Sequence, residues 1–265
     1  MPAAASPRCL VLGLGAVGTY VGAHIAAAGL PVTVLVRPGT TSVRHAAEIT
    51  VTCPERSFTA ANVAIVDHVE APVDIVTLAC KTFHVDAAIE SVRPAVGERT
   101  VVLPILNGMA HVAALDAAFS ARVVWGGVAH FSVVKRAETH VQRLSPNNDL
   151  IAGPRHGGED ARIAGLMDGL RQRGIAARIS ARITHEMWEK WVFIVTLAGL
   201  TSLMRGSVGD IVAQPGGRDL AIAMFDEAVA AATAAGYPPA RDFVRRSTEF
   251  LTRADSPIKA SLQRD

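Results

Sequence analysis

Gly13-Leu14-Gly15-Ala16-Val17-Gly18 constrains this chain more than any other segment, because of what lies on either side of it. Before it runs Cys9-Leu-Val-Leu12, apolar without interruption, as strands buried on both faces are. After it comes a helical stretch to about Ala28 and a second apolar run, Val32-Thr-Val-Leu-Val36. Strand, glycine turn, helix and strand make a βαβ unit. Within that context the first glycine allows the tight turn, the second lets backbone N–H groups approach a diphosphate, and the third lets helix and strand pack closely. The phosphates would lie at the helix N-terminus, where unpaired N–H groups and the helix dipole favour an anion. Gly13, Leu14, Gly15, Ala16, Val17 and Gly18 are therefore candidate cofactor-binding residues.

The same alternation continues. Asp74–Cys80 and Thr100–Leu106 read as further buried strands, each followed by a helical stretch, so the expected fold is an α/β, Rossmann-type doubly wound parallel sheet. Ile49 to Val66 reads as a β-meander. Arg122 to Ile151 alternates like antiparallel strands around a polar turn near Ser145–Asp149. From Arg182 onward strand signals vanish. Helical stretches over Arg182–Met204, Asp210–Ala213, Gly217–Ala235 and Pro239–Arg253 are broken at glycines and at Gly236-Tyr-Pro-Pro239. The expected domains are 1–180, dinucleotide-binding, and 181–265, an all-helical C-terminal domain.

Composition narrows the function. With 26 basic and 24 acidic residues the net charge is +2, too small an excess to make nucleic acid or an anionic membrane the main partner. Three cysteines, Cys9, Cys53 and Cys80, form no disulfide framework, and no Cys/His spacing suggests zinc. His185-Glu186 does not extend to a zincin motif, since residue 189 is Glu. The first residues lack the basic and apolar regions of a secretion signal, and the longest apolar run, Trp191–Leu200, is about half the ~20 residues that cross a bilayer. No metal is expected, and the expected compartment is the cytoplasm.

Candidate site residues follow from where the strands end. At the end of the second strand an NAD site would carry an acid for the ribose 2′-OH; here Val34-Leu-Val-Arg37 has none and places Arg37 where a 2′-phosphate would lie, which favours NADPH/NADP. Only four of the 26 basic residues are lysines, at 81, 135, 190 and 259, so their positions are informative. Lys81 follows the third parallel strand and Asn107 the fourth, at the carboxyl ends where open α/β sheets bind ligands. Either can hold a carboxylate, a carbonyl or a ribose, or can serve as loop polarity. Lys190 lies between Trp188 and Trp191 on the first long helix of the second half. Burial there would lower its pKa and suit it to deliver a proton, whereas a solvated helix lysine is the plain alternative.

As an ordered set, these pieces resemble the ketopantoate reductases, or 2-dehydropantoate 2-reductases. The resemblance runs from the Gly13–Gly18 loop through Arg37, Cys80-Lys81, Asn107-Gly-Met, Trp188-Glu-Lys190 and Glu227–Gly236 to Ser261-Leu-Gln-Arg-Asp265. It implies an NADPH-binding domain joined to a helical substrate and dimerisation domain, an active site in the cleft between them, and reduction of a 2-oxo acid to a 2-hydroxy acid. Under it, Gly13, Gly15 and Gly18 resemble the diphosphate loop, Arg37 the 2′-phosphate ligand, Lys81 and Asn107 residues that hold cofactor and substrate, and Lys190 the general acid. Ser261 resembles a substrate-contacting serine. The implied partners are a small 2-oxo acid, most simply ketopantoate, and a second copy of the chain in a homodimer.

This chain also departs from the family pattern. Ile194, one turn beyond Lys190, stands where an asparagine usually contacts substrate; Ala198 replaces a frequent second asparagine, and His84 a common glutamine. The family places a Gly-Arg and a substrate-binding Glu in a segment that would follow Asp265; on the resemblance, either the sequence is truncated there or the site is incomplete. An isoleucine cannot replace an amide, and sites that hydrogen-bond a hydroxyl discriminate strongly for it. Three functions remain open on these residues: a ketopantoate reductase, a related reductase of a less hydroxylated carbonyl, and a non-catalytic NADPH-binding protein.

Overall fold

The computed structural model describes residues 6–39 and 44–264, and the chain separates into two compact units, one running to Ile183 and the other starting at Thr184. The first is a Rossmann-type α/β unit and the second is helical. Among the described residues no helix is long and apolar enough to cross a membrane.

In the first unit, β1 (Cys9–Leu12), β2 (Val32–Leu35), β3 (Arg44–Thr52), β4 (Phe58–Val66), β5 (Ile75–Leu78), β6 (Val101–Pro104), β8 (Val133–Ala137) and β9 (His140–Arg143) form one sheet in the order β6-β5-β1-β2-β4-β3-β9-β8. Strands β1, β5 and β6 are buried along their whole length, which is why they read as unbroken apolar runs. β1 pairs in parallel with β2 on one side and β5 on the other. The chain thus leaves β1 in one direction and returns to its other side at β5. A crevice opens beyond the carboxyl ends at such a switch point.

Two expectations are refined. The meander is a hairpin of β3 and β4 with register shifts near Ala47. The stretch 122–151 divides between two sheets: β8 and β9 form a hairpin that extends the large sheet through a parallel β3–β9 pairing, whereas β7 (Gly126–His130) and β10 (Asp149–Gly153) pair in a second sheet completed by β11 (Ala176–Ile179). Alternation reveals which face of a strand is buried but not which strand it joins. Of the two elements absent from the sequence reading, α4 (Ala161–Gln172) does have a local signal, Ile163, Leu166, Met167 and Leu170 at helical spacing behind the N-cap Asp160, whereas β11 has none. β11 has four residues of which only Ala177 is buried, too little for period-2 reading.

The helix after the glycine turn, α1 (Ala16–Ala27), is buried at every residue from Gly18 to Ile25. A helix enclosed all round needs cover beyond one sheet face. The far strands supply it: Phe131, just before β8, packs on Tyr20 with ring centroids 5.0 Å apart, and Phe58 of β4 meets His24 at 4.8 Å. The Tyr20 hydroxyl donates to Asn148 Oδ1 at 2.8 Å, tying the helix to the segment before β10. The sheet curls round α1.

The second unit consists of α5 (Ile183–Met204), α6 (Val208–Val212), α7 (Gly217–Ala234), α8 (Arg241–Leu251) and α9 (Ser261–Arg264); α5, α7 and α8 share a core of Val192, Phe225, Ala228, Ala232 and Leu251, and α6 joins α5 and α7 at Leu200, Ile211 and Ala221. α6 starts on a capping box in which Ser207 and Asp210 satisfy each other's backbone N–H. α2 (Val85–Val92) and α3 (Ala110–Phe119) complete the first unit's α-helices.

Candidate active site

The glycine turn is built as a dinucleotide turn must be. Gly13 adopts φ +108°, open to glycine at little cost, and its N–H donates to Leu35 O at 2.9 Å, fixing the turn to the end of β2. At Gly18 a Cβ would lie 1.9 Å from the carbonyl oxygen of Gly13, so the turn itself forbids any side chain there. Gly15 is different. Its φ of −75° suits any residue, and a Cβ would meet nothing within 4 Å. Neither strain nor packing calls for glycine at 15, so a bare backbone there leaves room for something outside the chain. Gly15 is also the N-cap of α1, makes no side-chain cap, and the first turn holds no acid. Uncapped N–H groups with no competing carboxylate suit an anionic diphosphate.

Two neighbouring loops join this turn. A Cβ on Gly13 or Gly18 would stand 3.3 Å from Ala79, just past β5, so the glycine turn rests on the segment that leads to Lys81. Lys81 is exposed at the head of a short 3-10 helix, Thr82–His84. The Thr82 hydroxyl donates to the Asn107 carbonyl at 3.1 Å, linking the loops after β5 and β6. Asn107 is exposed, and Gly108 after it turns the chain at φ +87°. Arg37 is exposed two residues beyond β2, where Val36 N–H donates to Val66 O at 2.8 Å. The loops bearing Gly13–Gly18, Arg37, Lys81 and Asn107 therefore lie at the carboxyl end of one sheet.

Sequence reasoning passed over two residues here. Phe83 is 80% exposed with its ring against His84 at 4.5 Å. Lys135 of β8 donates its Nζ to Leu14 O at 2.7 Å, inside the glycine turn. The scarcity of lysine was the available signal for Lys135; its distance along the chain hid the contact.

In the second unit, Lys190 is half-buried on α5, and burial pushes its pKa down to about 8. Its neighbours are engaged: Trp188 and Trp191 meet at 5.3 Å, Trp188 stacks on Tyr237 at 5.8 Å, and Glu189 Oε1 accepts the Ala240 N–H at 2.9 Å, fastening α5 to the start of α8. Ile194 and Ala198 follow at intervals of one turn, both half-buried, and Ile194 does not pack into the Val192–Phe225 core. Ser261 is exposed at the start of α9.

The chain matches the family model described as ketopantoate reductase PanE/ApbA over residues 9–156, and that of the same family's C-terminal region over 182–265. An uncharacterised oxidoreductase, YkpB, of Bacillus subtilis is 27% identical over 97% of this chain and 85% of its own length. A 2-dehydropantoate 2-reductase of Halobacterium salinarum is 26% identical over 97% and 85%. Among solved structures, 2-dehydropantoate 2-reductase from Geobacter metallireducens superposes with a TM-score of 0.86 at 29% identity, over 97% of this chain and 86% of that one.

Proposed function

The chain belongs to the ketopantoate reductase family, an oxidoreductase family of NAD(P)-dependent enzymes, and from that premise we propose that it uses NADPH to reduce a 2-oxo acid to the 2-hydroxy acid, with ketopantoate as the first substrate to test. The observation that carries the reading is the junction of the Gly13–Gly18, Lys81 and Asn107 loops at the carboxyl ends of β1, β5 and β6. It provides uncapped N–H groups for a diphosphate and polar side chains for a ribose and a carboxylate beside it. Arg37 favours the phosphorylated dinucleotide, since β2 ends without the acid that would take a free 2′-OH.

Held at the Gly13–Gly18 turn and Arg37, NADPH would supply the hydride for the ketone carbon. As negative charge grows on the carbonyl oxygen, Lys190 gives it a proton from Nζ and is left as a neutral amine that solvent reprotonates. A lysine near its ordinary pKa would hold that proton too tightly. Burial brings Lys190 to about 8, close to the matching that general acid catalysis favours at neutral pH. Lys81, Asn107 and Ser261 hold substrate carboxylate and hydroxyl groups. Ile194 and Ala198 offer none of the amide hydrogen bonds of the family pattern, which supports a second reading: a 2-oxo acid with fewer hydroxyls.

The test is oxidation of NADPH by the full chain with ketopantoate and, in parallel, with 2-oxo acids of similar bulk lacking the hydroxyl. Turnover of ketopantoate supports the first reading and turnover only of the others supports the second. Binding of NADPH without turnover of any 2-oxo acid would overturn both.

A further inference from the structure

Between β1 and β8 the large sheet interposes β2, β4, β3 and β9, and yet a side chain of β8 reaches the turn that follows β1. The bond from Lys135 Nζ to Leu14 O spans 121 residues. The curl of the sheet round α1 makes it possible: with Phe131 packed on Tyr20, β8 runs beside the helix that the glycine turn opens.

A lysine on an edge strand ordinarily serves to keep other strands from pairing, and needs only solvent. Lys135 is exposed but commits one donor to the backbone carbonyl of the residue between Gly13 and Gly15. An ammonium has three donors, so two remain for a ligand lying on the turn. The head of α1 is uncapped and acid-free, and the space where a Gly15 side chain would stand is open, so the diphosphate of the dinucleotide reading has room to lie there. We infer that Lys135 is a binding residue of the dinucleotide site: it fastens Leu14 and brings a positive charge to the diphosphate. The inference rests on the dinucleotide reading above. Because NADPH and NADH share the diphosphate, Lys135 serves both alike, whereas Arg37 serves only the phosphorylated form.

The experiment measures dissociation constants of NADPH and NADH, by the fluorescence of the reduced nicotinamide, for the full-length wild type, Lys135→Arg and Lys135→Gln at low and high salt. Lys135→Gln is expected to weaken both dinucleotides by about 5- to 20-fold, while Lys135→Arg stays within about threefold of wild type. Salt is expected to weaken wild-type binding more steeply than binding by Lys135→Gln, since a screened charge has been removed. Wild-type affinities in Lys135→Gln would overturn the inference. So would equal losses in the Arg and Gln variants with an unchanged salt dependence, which would leave Lys135 a purely structural tie. A wild type that binds neither dinucleotide overturns the reading beneath the inference as well as the inference itself.

Discussion

The carboxyl end of the sheet in the first unit and the first long helix of the second are built on opposite terms. At the glycine turn the backbone itself sets the geometry: Gly18 has no room for a side chain, Gly13 has a positive φ, and the head of α1 carries no side-chain cap, so on the proposed reading main-chain N–H groups meet the dinucleotide. On α5 the backbone is an ordinary helix, and everything that distinguishes it is a side chain, Lys190 first and then Ile194 and Ala198. A site made of backbone tolerates little change, because a wrong residue breaks the fold locally. A site made of side chains on a regular helix can be altered one residue at a time without disturbing the helix. On the proposed reading, that contrast lets the substrate side change while the dinucleotide turn stays fixed.

The largest expected effect is on the helix side. Lys190→Ala should lower kcat by roughly 10²- to 10⁴-fold, with dinucleotide affinity, set in the other unit, nearly unchanged. The pH profile tests the same assignment more closely. A general acid must be protonated, so kcat/KM should be level below about pH 8 and fall above it, and Lys190→Arg should lack that limb because a guanidinium does not give up its proton in this range. A limb that survives in Lys190→Arg would belong to another group.

Next comes the backbone side. Gly18→Ala forces a methyl into the Gly13 carbonyl and should cost about 3 kcal/mol or more, a fall in melting temperature of roughly 6–12 °C for a chain this size. Gly15→Ala, with nothing within 4 Å, should melt within about 2 °C of wild type and yet bind NADPH less well. Equal melting losses in both variants would make Gly15 a packing glycine and erase the distinction between a fold glycine and a ligand glycine.

Arg37 is the exception that tests the rule, a side chain at a backbone site. Arg37→Ala removes a charged hydrogen bond of roughly 1.5 to 3 kcal/mol and should weaken NADPH by about 10- to 150-fold with little change for NADH. Parallel loss of both cofactors would remove Arg37 from the 2′-phosphate.

The smallest effect is expected at Ile194. Ile194→Asn should shift the ratio of kcat/KM for ketopantoate over a 2-oxo acid without the hydroxyl by about two- to tenfold, the worth of one net hydrogen bond. If Ile194 is instead a packing residue, the buried amide would lower the melting temperature and leave the ratio where it was.

Pieces governed by short-range rules were legible in the amino-acid order alone. The glycine turn, the unbroken runs of β1, β5 and β6, the helices from α5 to α8 and their glycine breaks are each decided by residues within a few positions of one another, so each can be read without knowing the rest. Lys81 and Asn107 could be placed for the same reason, since a strand's end locates the residue after it. Pairing across long separations was settled by the folded chain and by nothing more local. Period-2 alternation over 122–151 fixes a buried face but not a partner, and the partners lie in two different sheets. The half-burial of Lys190 was likewise settled by the folded chain, since a helix lysine beside tryptophans can equally well face solvent. Lys135 meets Leu14 only because an edge strand is wrapped round α1, and no local pattern at either residue carries that information.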